Sequence, residues 1–183
     1  MRIRKTHIEG LVELFPDIYK DNRGHFLETF HEERFKSLGL PHYFRQTNQS
    51  FSAKGVVRGL HFQKAPHQQG KLVRVISGKV LDVVLDLRAD SPTYGEHMKV
   101  VLDAESSNLL YVPEGMAHGF VALEDTIFVY QCTNLYHKAS ESGVMWDDPD
   151  LAIDWELEKY GISSPIISEK DQVLPRFKEI EKQ

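Results

Sequence analysis

Thiols are almost absent from this chain: Cys132 is the one cysteine in 183 residues. No internal disulfide can form, and its place in the apolar run Ile127-Phe-Val-Tyr-Gln-Cys132 suits a small buried hydrophobe better than a nucleophile. No apolar run approaches the roughly 20 residues that span a bilayer, and no charged leader with an apolar core and a small-residue cleavage site opens the chain, so no membrane partner and a cytoplasmic location are expected. Positive charge is short as well. The net charge is −5 with nine histidines counted neutral, which argues against a nucleic-acid partner and makes any anionic ligand depend on a local cationic pocket. Linkers, repeats and low-complexity tracts are missing too. With 41% hydrophobic and 27% charged residues, one globular domain over 1–183 is expected, long enough to bury a real core.

What the chain does have is a succession of short apolar or alternating runs, at 26–30, 43–51, 56–63, 71–76, 79–88, 97–102, 109–112 and 120–133. Turn signals separate them, among them Gly39-Leu-Pro41, Ser77-Gly78, Pro113-Glu-Gly115 and Glu124-Asp125. No long amphipathic segment intervenes, so the reading is a mainly β sandwich or barrel and not a parallel α/β fold. Two short peripheral helices are expected, at about 31–38, closed by Gly39, and at about 175–182. Alternation along a strand assigns faces. Leu81, Val83, Leu85 and Leu87 form a core face, with Asp82, Asp86 and Arg88 opposite. Gln46, Asn48 and Ser50 share a polar face that is either solvated, the commoner case, or the lining of a wet cavity.

Three segments carry the candidate chemistry: Arg58-Gly-Leu-His-Phe-Gln63, Lys71-Leu-Val-Arg-Val75 and Pro113-Glu-Gly-Met-Ala-His118. A tight turn just before an imidazole is a common element of cupin-type double-stranded barrels, where it brings the histidine to the cavity. Metal-using members place two histidines and a carboxylate on the earlier strand. Here His61 stands alone and His67 lies beyond Pro66, so the ligand set is broken and no metal is expected. His61 then reads as a satisfied structural residue or as a base. Strict alternation would put Arg58 and His61 on opposite faces, but Gly59 can mark a bulge that re-aims the next side chains. Taken singly, Lys71 reads as a strand-end charge, Tyr130 as a core tyrosine and Asp171 as a surface carboxylate.

Taken together, these residues fall into a known pattern. From about residue 2 to 175 the chain resembles the dTDP-4-dehydrorhamnose 3,5-epimerases. The resemblance is carried by the blocks 21–30, Gln46-Thr-Asn48, Gly55 to Gln63, Gly70-Lys-Leu-Val-Arg74, 82–88, Val112 to Phe120, Tyr130-Gln-Cys-Thr133, Trp146-Asp-Asp-Pro149 and Ser168-Glu-Lys-Asp171. It implies a cupin-type jelly roll, no cofactor, a homodimer, and a dTDP-linked 4-keto-6-deoxyhexose inverted at C3 and C5; strand exchange at the amino end is a reasonable route to the dimer, since an open sheet edge is otherwise exposed. By the same resemblance His61 is the base, Asp171 its orienting partner, Tyr130 the acid on the opposite face and Lys71 the stabiliser of the enolate oxygen. The implied substrate contacts are Arg23, Glu28, Gln46, Thr47, Asn48, Arg58, Lys71, His118, Glu141 and Lys170, with Phe26 and Tyr136 near the thymine. Arg23 and Arg58 are the diphosphate candidates, since a guanidinium fork suits phosphate oxygens. Thr47, Tyr111 and His25 depart from the pattern. A mono-epimerase or 3,4-ketoisomerase on a related nucleotide sugar, a non-catalytic nucleotide-sugar binding module and a metal-dependent oxygenase of the same barrel are the alternatives.

Overall fold

A computed structural model describes residues 1–183. In chain order the elements are β1 (Arg2–Lys5), β2 (Val12–Phe15), β3 (Ile18–Asp21), β4 (Gly24–Leu27), α1 (Glu32–Ser37), β5 (Gln46–Ser52), β6 (Val56–Gln63) and β7 (Lys71–Ser77). There follow β8 (Lys79–Asp86), β9 (His97–Asp103), β10 (Leu109–Val112), β11 (Met116–Ala122), β12 (Thr126–Cys132), β13 (Glu141–Gly143) and β14 (Ile166–Ile167). One sheet has the order β1-β2-β10-β7-β12-β5; the other has β13-β6-β11-β8-β9, with β14 added parallel to β6. The β3–β4 hairpin pairs only with itself and stands apart as an arm.

The two sheets are held face to face by side chains pointing inward from both. Val73, Val75, Leu110 and Phe128 of the first meet Val80, Val84, Met116 and Phe120 of the second in one buried cluster. A second cluster backs the other sheet, where Trp155, Leu151 and Ile162 cover Leu81, Val83, Leu85 and Leu87. The odd-numbered face of β8 is therefore core, and so is its even-numbered face, because a strand in mid-sheet with cover on both sides has no solvent face. Asp82 on that even face is fully buried. A third cluster packs Phe35 of α1 onto Leu14, Leu72 and Leu109, which is why the first sheet is covered only at one end.

α1 begins with Glu32 and Glu33 in its first turn, favourable for the helix dipole, and ends at Gly39 with φ +71°, as the sequence predicts. At 175–182 the expectation fails. Only a 3-10 turn at Phe177–Glu179 forms, since so short a segment does not recover the cost of helix nucleation. The run 120–133 divides at Glu124-Asp125 into β11 and β12. Strands β1 to β3 lie outside the predicted runs. β1 carries Arg2, Arg4 and Lys5 along a sheet edge, a charged composition that suits an edge and hides a strand from pattern reading.

Candidate active site

The site begins at an irregularity in β6. His118 of β11 pairs with His61, whereas Phe120, two residues on, pairs with Arg58, three residues back. The additional residue is a bulge around Gly59, whose φ is +104°. A Cβ on Gly59 would lie 2.7 Å from Gly119 Cα and from the His118 carbonyl oxygen, so only glycine fits this crossing. The bulge also turns the Gly59 N–H out of the ladder, and it donates to Asp171 Oδ2 at 3.3 Å.

Asp171 Oδ1 lies 2.7 Å from His61 Nε2. Asp171 opens a 3-10 turn, and its N–H is held by Ser168 Oγ at 3.1 Å. Asp171 is 3% exposed. Burial alone would raise its carboxyl, but hydrogen bonds from His61 and Gly59 and the charge of Lys170 hold it below the ordinary carboxylate value. An ionised Asp171 accepts the Nε2–H hydrogen bond, which favours the tautomer whose Nδ1 carries the lone pair.

Deeper in the barrel, Asp82 receives His118 Nε2 at 2.8 and 3.0 Å, and both residues are buried. Burial pushes Asp82 up, opposed by His118 and Lys71. Lys71 Nζ reaches the His61 carbonyl oxygen at 3.4 Å. Protein packed around the Lys71 ammonium lowers its pKa, against the pull of Cys132, Asp82 and Glu141 toward the charged form. Tyr130 projects inward from β12 opposite Asn48 and Val73. Burial raises its phenol above the ordinary value, as do Cys132 and Glu141, while Arg58 opposes. A raised phenol is neutral and proton-bearing at pH 7.

His61, Lys71, Tyr130, Gln46, Asn48 and Glu141 line a single pocket of about 130 Å³. Larger concavities, of about 650 Å³ beside Trp146 and about 900 Å³ under the amino-terminal segment, contain no buried imidazole–carboxylate pair. At the rim Glu141 is bonded to Lys170 at 2.5 Å and to the Tyr136 hydroxyl at 2.9 Å. Its burial is outweighed by these partners, which lower its carboxyl. Arg58 sits alongside, donating to Ser52 Oγ at 2.9 Å and to the Phe51 carbonyl at 3.0 Å. The Gln46–Asn48 face is thus a wet cavity wall, the less common outcome for such a strand.

Four of the sequence candidates stand elsewhere in the chain. Thr47 alternates outward from Gln46 and Asn48 and is exposed. Arg23 lies in the arm, 85% exposed and bound to Asp21 at 2.6 Å, and Phe26 beside it is 67% exposed. Glu28 follows the arm and meets Arg34 at 3.2 Å. Of the pocket lining, Phe62, Gln63 and Gln69 were not among the sequence candidates, nor was Asp82 behind His118. A carboxylate in the middle of an otherwise apolar strand was the available signal for Asp82. No three His, Cys, Asp or Glu side chains converge as a set able to hold a metal ion. His67 is stacked on His137 at 3.8 Å instead.

A family model described as dTDP-4-dehydrorhamnose 3,5-epimerase matches residues 5–179. The chain is 51% identical over 172 residues to the dTDP-4-dehydrorhamnose 3,5-epimerase of Methanothermobacter thermautotrophicus, covering 93% of this chain and 91% of that one. Among solved structures it is similar to the enzyme of that name from Elizabethkingia anophelis, with 44% identity, a TM-score of 0.91 and coverage of 98% and 97% of the two chains. It is also similar to a dTDP-6-deoxy-D-glucose-3,5-epimerase from Legionella pneumophila in complex with dTDP-4-keto-L-rhamnose, with 41% identity, a TM-score of 0.92 and coverage of 98% and 94%.

Proposed function

The chain belongs to the dTDP-4-dehydrorhamnose 3,5-epimerase family, and on that footing we propose that it converts dTDP-4-dehydro-6-deoxy-D-glucose to dTDP-4-dehydro-L-rhamnose by inverting C3 and C5. The observation that carries this reading is the placement of two proton-handling groups on opposite walls of one pocket. His61 comes from β6 of one sheet and Tyr130 from β12 of the other. Inversion needs a base on one face of the carbon and an acid on the other, and both target carbons flank the C4 ketone. His61 Nδ1 takes the proton, the C–H electron pair moves onto O4 as an enolate, and Tyr130 delivers a proton to the opposite face. Solvent then restores the phenol and removes the proton from the imidazolium, whose charge Asp171 stabilises meanwhile. Lys71 faces the developing oxyanion from a poorly solvated position, where such a charge acts most strongly. No electron is gained or lost overall, so the chemistry calls for no cofactor.

A pocket of about 130 Å³ falls short of the roughly 300–1,000 Å³ typical of ligand sites. The sugar occupies it above the buried His118, and the nucleotide runs over the rim past Arg58 and Lys170 to the ring of Tyr136. Arg23, Phe26 and Glu28 complete this path from a second copy in a homodimer. Two observations support the dimer. The arm extends Tyr19 and Phe26 into solvent, and the uncovered outer face of the first sheet exposes Phe51 and Ile76 beside Arg74, a guanidinium disfavoured by burial and partnered by no carboxylate. The two sheets share one core, which supports a single domain over 1–183. No helix is long and apolar enough to cross a membrane; we place the enzyme in the cytoplasm, to be checked by cell fractionation.

Incubation with dTDP-4-keto-6-deoxyglucose in deuterated water tests the reaction. Deuterium at C3 and C5 is the expected result, and none at either carbon would reduce the protein to a binding module. Label at one carbon would make it a mono-epimerase. Mixing Arg23→Ala with His61→Ala protein tests the shared site, since heterodimers would regain one intact pocket.

A further inference from the structure

We infer that Gln63 is a positioning residue that sets the ring of Tyr136 for the nucleotide end of the substrate, an inference that rests on the nucleotide-sugar reading above. Gln63 shares a strand face with His61 two residues away and is 5% exposed. Its amide is fully used, and every partner is backbone. Nε2 donates to the carbonyl oxygens of His67 at 2.6 Å and Leu135 at 3.2 Å, while Oε1 accepts the N–H of His137 at 2.6 Å. Leu135 and His137 are the two neighbours of Tyr136. The Tyr136 N–H itself donates to Gln46 Oε1 at 2.8 Å, and Gln46 is in turn held by Asn48 at 2.9 Å.

Three successive residues of an otherwise irregular segment are thus fastened to the pocket floor by two glutamines, and the residue at the centre is an aromatic ring. That ring is 51% exposed, lines the pocket and has its hydroxyl end tied to Glu141. A tyrosine with both its backbone and its phenol fixed presents one flat apolar face to whatever lies over the rim, the geometry a base stacks on. The other segment joined by Gln63 carries His67, which lies parallel to His137 at 17°. Both walls of the rim therefore depend on one buried amide. A buried amide with all its partners in place orders the chain it binds, and removing it strands backbone groups that must then find water.

The test uses Gln63→Met, which keeps the volume and removes all three hydrogen bonds, and Gln63→Glu, which keeps the acceptor for His137 and removes both donors. Gln63→Met is expected to raise KM and the dissociation constant of dTDP roughly tenfold, the scale of losing one stacked ring, with kcat changed less than about threefold; Gln63→Glu should fall between it and the native protein. In a Tyr136→Ala background the same change should cost less than about twofold. Native KM and dTDP affinity in Gln63→Met, or an undiminished penalty without the tyrosine ring, would overturn the inference while leaving the epimerase reading intact. A native chain that neither binds dTDP nor turns over the sugar would defeat the reading first. Should the variants fail to fold, hydrogen exchange of the native protein decides. The Tyr136 and His137 amides should be protected well beyond the exposed Lys138 amide, and exchange of all three at one fast rate would show that no brace exists.

Discussion

Replacing Asp171 by Asn isolates the part of the site that depends on charge. The side chain keeps its size and can still accept the Nε2 proton of His61 through Oδ1, but the negative charge 2.7 Å from that nitrogen is gone when the imidazolium forms. Two unit charges about 4 Å apart at an effective dielectric near 20 attract by about 4 kcal/mol. Water reaches His61, whose side chain is 31% exposed, and discounting for that leaves about 3 kcal/mol, on the order of 10²-fold in rate. The amide also turns a donor toward the Gly59 N–H, which has bonded to Oδ2. That clash removes about 1–3 kcal/mol of stability, so melting is recorded alongside. The assay is deuterium incorporation at C3 and C5 followed by NMR at saturating substrate, with dTDP affinity measured separately. Both carbons should slow together by about two orders of magnitude while dTDP binds within about twofold of the native value. Exchange within threefold of native in a folded Asp171→Asn protein would show that the carboxylate does not support the base, and the assignment of His61 would lose its physical ground.

Lys71→Met should lower kcat by about 10²–10³-fold with a smaller change in KM, because the ammonium acts on charge that appears only in the transition state; equal losses in binding and turnover would contradict this. Gly59→Ala should prevent folding or cost roughly 3 kcal/mol or more, since both the positive φ and the 2.7 Å approach of the neighbouring strand exclude a methyl group, and chemical denaturation reads the loss. Asp86 is bonded to Arg88, Ser91 and Thr93. Burial works against its ionisation, but these bonds depress its carboxyl from 3.8 to about 2. A depressed carboxyl adds stability above its unfolded value and loses it as pH falls from about 4 through 2, so about 2 kcal/mol should disappear over that window. Asp86→Asn should flatten the acid limb of the melting curve there, and an unchanged limb would remove Asp86 from the account.

The resemblance listed the pocket residues, while the residues read one by one explain why some of them meet and others do not. Alternation correctly split Gln46 and Asn48 from Thr47, and the structure turns Thr47 outward. Strict alternation would have separated Arg58 from His61. The bulge at Gly59 resolves that conflict, as glycine in a strand allows, and adds an N–H for Asp171 that no sequence pattern encodes. The contact between His61 and Asp171 spans 110 residues, beyond the reach of any local periodicity. Arg23, Phe26 and Glu28 share a motif with the site, yet the hairpin that carries Arg23 and Phe26 pairs with neither sheet, a separation that depends on tertiary and quaternary packing. Gln63 was visible only as part of a run of suggestive residues, because an amide saturated by backbone partners has no sequence signature.

The central claim is that hydrogen leaves carbon toward one sheet and returns from the other. Tyr130→Phe in deuterated water tests it most directly, with the configuration at C3 and C5 read by NMR after each interval. His61 should still remove the proton, so deuterium should enter both carbons while inversion falls by at least tenfold. Inversion at the native rate in that variant, or loss of exchange and inversion in equal measure, would contradict a base and an acid on facing walls.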